Sequence, residues 1–292
     1  MVFTALPNGD AQKISKVLNK NNVLIDLAAD FRLENKFSYL KWYKQKHKAS
    51  NNIKKSIYSL PEINGKLVDK YNIISCPGCY PTSILLPLIP LIKSKLIDLD
   101  NIIIDSKSGF SGAGRSVHQK YKDKNLYESL SAYAVGFHRH NSEIEQELNY
   151  YTGKKVKFSF TPHLSPMFRG ILTTIYVDLK GKSSINKINS KLKNFYKDDF
   201  FIKIKPINKF ISTNDVINTN SSWVSVDDMW DNLIVSSIAF DPNYSNIIYE
   251  LGKGAKHSLI SPKLATEYLT TNGRSFSKCI SILLHRLVHL MK

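Results

Sequence analysis

Apolar and polar positions alternate along this chain with two different rhythms. In the first part, short apolar runs end in turns and lead into longer segments with helical spacing. "MVFTALPNGDAQKISKVL" opens as an apolar strand, breaks at a Pro-Asn-Gly turn (Pro7 to Gly9) and continues as a helix. "NVLIDLAADFRL" supplies a second strand over Val23 to Leu27, with a polar end at Asp30 and Arg32. "YNIISCPGCYPTSILLPLIPLIK" predicts a strand, a tight turn and an apolar helix. "NIIIDSKSGFSGAGRS" predicts a strand running into a Gly/Ser loop. Strands alternating with helices predict a parallel, doubly wound sheet. Later the rhythm changes. Lys155 to Phe160 and Ile171 to Leu179 alternate with period two, which predicts antiparallel strands with one covered face. An α/β unit followed by an α+β unit is the expected organisation, with no internal repeats.

Composition narrows the class. A chain of 292 residues with 42% hydrophobic content suits one large domain or two ordinary ones. The start lacks a secretory pattern, and Lys, Pro or Ser interrupts every apolar stretch short of a membrane span. The cysteines, Cys76, Cys79 and Cys279, are too few for a disulfide scaffold. These features read as a reduced, soluble, cytoplasmic protein with no membrane partner. The net charge of +17 raises nucleic-acid binding, but the lysines are spread among Asn and Ile rather than clustered. Those residue types share A/T-rich codons. A positive field would also draw small anionic substrates.

Candidate chemistry gathers in four blocks. The first is "SCPGCYPTS". Cys79 follows a strand and a Pro-Gly turn and opens a helix. Unpaired N–H groups and the helix dipole favour a thiolate there, and the same N–H groups can receive an oxyanion. Gly78 allows close approach to the backbone. Zinc would need two more ligands, and no second C-x-x-C exists, so no metal site is expected. A thioredoxin-like redox pair fits poorly, because its reactive cysteine is the first of the two. A buried, inert thiol is the plain alternative.

The second block is "AYAVGFHRHNSEIEQEL". His138 and His140 precede a helix expected to begin near Asn141 or Ser142, with Ser142 and Glu145 as a capping box. Two histidines around an arginine make an acid/base candidate, and Glu143 is close enough to orient or charge-couple one of them. The third block, "SGFSGAGRS", offers backbone and hydroxyl donors, with Arg115 as a bidentate cation. In the fourth, "FTPHLSPMFRG", His163 and Arg169 flank Pro162 and Pro166 in a stiff connection suited to an anion.

These blocks, with "FTALPNGDA" and "VLIDLAADFRL", resemble in order and spacing the N-acetyl-gamma-glutamyl-phosphate reductases of arginine biosynthesis, over roughly Val2 to Val177. The resemblance implies an α/β plus α+β fold. An incomplete Rossmann-type nucleotide-binding domain would be joined to a substrate and oligomerisation domain like that of semialdehyde and glyceraldehyde-phosphate dehydrogenases. It implies boundaries at 1–78, 79–245 and a divergent tail at 246–292. It implies NADPH-dependent reduction of N-acetyl-glutamyl 5-phosphate to the semialdehyde through a thioester on Cys79, with His140 or His138 as acid/base and a slight preference for His140. Arg115, Tyr133, Arg169 and Glu143 become substrate contacts. Ala5, Pro7, Gly9, Ser108, Gly109, Ser111 and Gly112 become neighbours of NADP. A homo-oligomer, dimer or tetramer, is implied.

The chain also departs from that pattern. It shows no G-x-x-G-x-x-G turn for the cofactor phosphates. Cys76 stands where the family usually has Asn, and Ala28 where it usually has Ser. "AFDPNYSNIIYE" interrupts the C-terminal pattern, "LGKGA" looks like a displaced fragment of it, and the remainder is unlike it. A missing first βαβ unit would expose apolar surface. A remnant with impaired NADP binding, and a basic nucleic-acid-binding protein, are the alternative functions. Cys76 is a candidate for trapping Cys79 as a disulfide.

Overall fold

The computed structural model describes residues 1–19, 21–113, 124–229 and 232–239. It divides into two compact units. The first comprises Met1–Leu40 and Gln45–Cys76; the second comprises Lys41–Lys44 and the described residues from Pro77 onward.

The first unit contains β1 (Val2–Thr4), α1 (Asp10–Val17), β2 (Leu24–Asp26), the start of α2 (Lys36–Tyr43), α3 (Ser50–Ile53), β3 (Ser56–Tyr58), α4 (Pro61–Asn64) and β4 (Ile73–Ser75). Its strands form an all-parallel sheet in the order β1-β2-β4-β3. The period-two geometry of a strand separates its apolar residues onto two faces. Leu24 and Ile73 pack with Ala11, Phe31 and Ala49; Ile25 and Ile74 pack with Val68, Phe3, Ile57 and Cys76. Both faces are covered, which is why these strands read as unbroken apolar runs.

Two buried carboxylates organise the C-terminal end of this sheet. Asp30 accepts from the Gly9 N–H with both oxygens (2.7 and 2.8 Å), from the Gln12 N–H (3.2 Å), from Gln12 Nε2 (3.0 Å) and from Tyr39 Oη (2.8 Å). It closes the start of α1 from 18 residues downstream. Asp26 accepts from Thr4 Oγ1 (2.9 Å) and the Ala28 N–H (3.1 Å). Burial pushes its carboxyl up to about 6 despite these bonds.

The second unit contains α5 (Cys79–Lys93), β5 (Ile102–Ser108), β6 (Ser131–Ala132), α6 (His140–Thr152), β7 (Phe158–Leu164), β8 (Ile171–Asp178), α7 (Ile185–Phe195), β9 (Ile202–Ile204), β10 (Ser222–Met229) and β11 (Asn232–Ala239). Its seven strands run in the order β6-β7-β5-β8-β11-β10-β9. The pairs β5–β7 and β9–β10 are parallel and the others antiparallel. Residues of α5 from Ser83 to Ile92 are buried, and Ser83 Oγ meets Thr173 Oγ1 of β8 at 2.7 Å. Pro90 has no N–H for the Leu86 carbonyl four residues back; the Tyr196 hydroxyl, just beyond α7, donates to it instead (2.5 Å).

Four expectations change here. The strand over Ile102–Ser108 joins the second sheet rather than the parallel one. Both period-two segments contribute strands, β7 only from Phe158 onward and β8 over Ile171–Asp178, but β5 lies between them, and β7 runs parallel to it. Pro162 sits inside β7 opposite Ser106, so it stiffens a strand and not the turn. Helix α6 begins at His140; Ser142 Oγ donates back to the Arg139 carbonyl (2.6 Å), and Arg139 makes no side-chain cap.

Candidate active site

The site is built on the start of α5. Gly78 is its N-cap residue and Cys79 its first helical residue. The first intrahelical bond runs from the Thr82 N–H to the Gly78 carbonyl (3.0 Å). Pro81 carries no N–H, and the Tyr80 N–H at the second position has no carbonyl within the helix to meet. The Tyr80 N–H is left as a directed donor at the foot of the helix that carries the thiol.

Helix α6 presses its first turn against that foot. A Cβ placed on Gly78 would lie 2.5 Å from His140 Nε2, so glycine is needed there to admit the ring. Glu143, fully buried one turn later, accepts from the Gly78 N–H with Oε2 (2.9 Å). Its Oε1 lies 3.6 Å from His140 Nε2 and accepts from the Tyr43 hydroxyl (3.4 Å). One carboxylate therefore holds both the turn before Cys79 and the ring beside it.

His138 has a different environment. Its Nδ1 accepts from the His140 N–H (3.2 Å), which fixes that nitrogen as an acceptor. Burial, and then the Arg139 charge, lower its pKa to about 4. It is a neutral ring at pH 7 that stands edge-on to Tyr80, Tyr133 and His140.

Tyr80 and Tyr133 form the third side. The Tyr80 hydroxyl donates to Ser108 Oγ (2.8 Å) and lies 3.0 Å from the Tyr133 hydroxyl. Burial raises the pKa of both phenols, and Cys79 is near enough to raise them further. Both remain protonated donors at neutral pH. Sequence reasoning missed Tyr80, although it adjoins Cys79. It also missed Tyr43, which lies 100 residues from its partner Glu143.

The Gly/Ser loop and the proline turn, read as separate blocks, come together. Gly109 N–H donates to the Gly170 carbonyl (2.9 Å), Phe110 N–H to Met167 (3.0 Å) and Ser111 N–H to Phe168 (3.0 Å). A Cβ at Gly109 would meet the Phe168 carbonyl oxygen at 2.5 Å, which explains glycine at that position. Gly112 N–H points back to the Gly109 carbonyl (3.4 Å). Arg169 is exposed and stacks on Phe168, 5.3 Å from the ring centre. His163 Nδ1 lies 3.0 Å from Asp105 Oδ1 on the sheet. Arg115 lies outside the described residues.

In the first unit, Ala5, Pro7 and Gly9 occupy the turn between β1 and α1. The Gly9 N–H is committed to Asp30, as the loop amides of the second unit are committed to the 167–170 turn. These amides are therefore engaged within the protein itself. Among the described residues no group of three His, Cys, Asp or Glu could hold a metal ion, and no helix is long and apolar enough to cross a membrane.

Comparison with known proteins places this arrangement. Residues 79–240 match the semialdehyde dehydrogenase dimerisation domain family. The chain is 41% identical over 227 residues to the N-acetyl-gamma-glutamyl-phosphate reductase of Desulforamulus reducens, covering 77% of this chain and 66% of that protein. It is 41% identical over 239 residues to the one from Vesicomyosocius okutanii, covering 82% of this chain and 69% of the relative. It is 44% identical to a probable chloroplastic one from Arabidopsis thaliana, covering 77% of this chain and 56% of that protein. The matched part thus spans about two thirds, or less, of most of these relatives. Aspartate semialdehyde dehydrogenase from Francisella tularensis shares the fold, with a TM-score of 0.60 at 14% identity over 85% of this chain and 81% of that one. The Candida albicans enzyme, solved with NADP, gives 0.56 at 14% over 81% and 71%. On this match the chain belongs to the N-acetyl-gamma-glutamyl-phosphate reductase family, with a semialdehyde-dehydrogenase fold.

Proposed function

We propose that this chain carries the acyl-transfer centre of an NADP-dependent reductase that converts N-acetyl-L-glutamyl 5-phosphate to N-acetyl-L-glutamate 5-semialdehyde and phosphate in arginine biosynthesis. The first unit would be the nucleotide-binding side and the second the catalytic one. One observation carries the reading: Glu143 holds the Gly78 N–H and stands beside His140, and both lie against the turn that presents Cys79 at a helix start.

In the acyl-transfer step, His140 takes the Cys79 proton and Glu143 steadies the charged ring. The sulfur attacks the acyl carbon, a C–S bond forms, the C–O bond to phosphorus breaks, and phosphate leaves with the bonding pair. The Tyr80 N–H receives the transient oxyanion. Protonated Tyr133, with Arg169, faces the anionic ends of the substrate. His138 is neutral and serves to hold the His140 backbone. NADPH, when bound, would supply the hydride of the family reaction.

Following phosphate release and NADPH oxidation in parallel tests this reading, with N-acetylglutamyl phosphate as substrate. Both signals, each lost in Cys79→Ala, support the full reductase. The committed amides of Gly9 and of the loop from Gly109 to Gly112 favour a second reading, acyl transfer without hydride turnover. Phosphate release with no NADPH oxidation would select it. Absence of both signals would refute the two together.

A homo-oligomer belongs to the same proposal. The family carries dimerisation in its description, and the sheet face turned from α5 bears Ile103, Leu172 and Tyr176, none of them fully buried.

A further inference from the structure

At the far edge of the second sheet, opposite β6, lies a groove of about 450 Å3 between the end of α7 and β9. Four of its walls are lysines: Lys193, Lys197, Lys203 and Lys205, with Asp199 the one acid. The lysines stand on both sides of the strand edge. Ile202 and Ile204 pair with Ser222 and Val224, whose buried side chains share the face covered by Ile188 and Leu192 of α7. Lys203 and Lys205 therefore take the opposite face. Lys193, in the last turn of α7, and Lys197, just beyond it, stand on the helix side.

Two of the cations rest on aromatic rings and not on anions. Lys205 Nζ lies 3.1 Å from the centre of the Trp223 ring and Lys203 Nζ 5.2 Å from that of Phe200. Among the described residues none of the four is in an ion pair.

The strand itself offers a template. Ser222 N–H donates to the Phe201 carbonyl (2.9 Å) and Lys205 N–H to the Val224 carbonyl (2.8 Å). Peptide groups alternate direction along a strand, so those of Ile202 and Ile204 point away from β10. Among the described residues no strand pairs with that edge. Lysines on an edge repel a second copy of the same edge while drawing a strand of opposite charge.

We propose that the β9 edge binds an extended acidic peptide segment of another protein, which adds as a strand and sends its carboxylates alternately to the two lysine pairs. An added strand directs side chains to both faces, and Lys203 and Lys205 at i and i+2 repeat at roughly 7 Å, the spacing of alternate side chains in such a peptide. The occupant is a peptide rather than a polyphosphate or nucleic acid because the groove combines cations with main-chain groups that no described strand pairs.

Fluorescence anisotropy on the full chain tests this, with a labelled peptide alternating Glu and Thr as probe. The expected result is salt-sensitive binding that falls by about tenfold or more in Lys203→Glu/Lys205→Glu. Circular dichroism checks that this variant is folded. The same peptide with alternate amides N-methylated, which leaves the protein untouched, should also bind about tenfold more weakly. Absence of binding at low salt, equal binding by the charge-reversed variant, or equal binding of the N-methylated peptide would overturn the proposal. So would equal or tighter binding of a single-stranded oligonucleotide of matched charge.

Discussion

Cys76 and Cys79 are separated by two residues and occupy opposite chemical settings. At the end of β4, the Cys76 N–H donates to the Asp26 carbonyl (2.8 Å) and its own carbonyl accepts from Arg32 Nε (2.8 Å). Its side chain packs on Ile25, Val68 and Ile74. Burial, followed by the charge of Asp26, pushes its thiol up to about 12. At the start of α5, Cys79 sits at a helix N-terminus, with Gly78 making room for His140 and with tyrosine hydroxyls nearby. The C-x-x-C spacing is therefore silent about chemistry. What decides is whether the sulfur ends a buried strand or begins a helix. A thiol held protonated at neutral pH is also a poor partner for trapping Cys79, so Cys76→Asn is expected to leave oxidant sensitivity unchanged.

The contrast can be broken most sharply at the sulfurs. Cys79→Ser should lower acyl-phosphate-dependent phosphate release by roughly a thousandfold or more, and Cys76→Ser by less than about twofold. Comparable losses would erase the distinction.

The next effect is at the histidines. His140→Gln should cost about a hundredfold or more in kcat, whereas His138→Gln, which can still accept the His140 N–H, should cost about tenfold or less. A larger loss at His138 would reverse the assignment.

Glu143→Gln keeps the size of the side chain and an acceptor for the Gly78 N–H but removes the charge beside His140. A loss of roughly ten- to a hundredfold is expected. The acid limb of the kcat/KM profile should move to lower pH, since imidazolium loses its counter-charge. A fall in rate with an unmoved limb would reduce Glu143 to a packing residue.

The smallest effect is at Asp26. Its folded pKa of about 6 exceeds the ordinary value of 3.8, so the folded state holds its proton more tightly. The stability this confers is full below about pH 4 and is lost as pH rises through about 6. Asp26→Asn should therefore raise stability above pH 6, on the order of 1–3 kcal/mol, with little change near pH 4. Thermal melts across that range give the answer. Alkylation of Cys76 should also quicken slightly, because a charge opposing its thiolate is gone.

Features encoded by neighbours in sequence were legible in advance. The strand–turn–helix that presents Cys79 follows from an apolar run, a Pro-Gly pair and a second apolar run. The His138–Arg139–His140 block stood out by composition. Long-range pairings were not legible. Nothing near Gly9 announces that Asp30 will close its turn, because the fold, and not local spacing, brings that carboxylate to the helix start. The Ser142 capping box failed because the hydroxyl found a carbonyl in its own turn. Period-two alternation identified β7 and β8 but could not show that β5 enters between them, since alternation reports a covered face and not a neighbour.

The central claim, that Cys79 is the acyl acceptor, is tested most directly by trapping. The chain is incubated with N-acetylglutamyl phosphate in the absence of NADPH, quenched in acid and mapped by mass spectrometry. The account predicts an acyl adduct on the peptide containing Cys79, released by neutral hydroxylamine as a thioester is, and lost in Cys79→Ser. An adduct confined to Cys76, or phosphate release with no acylated Cys79, would contradict it.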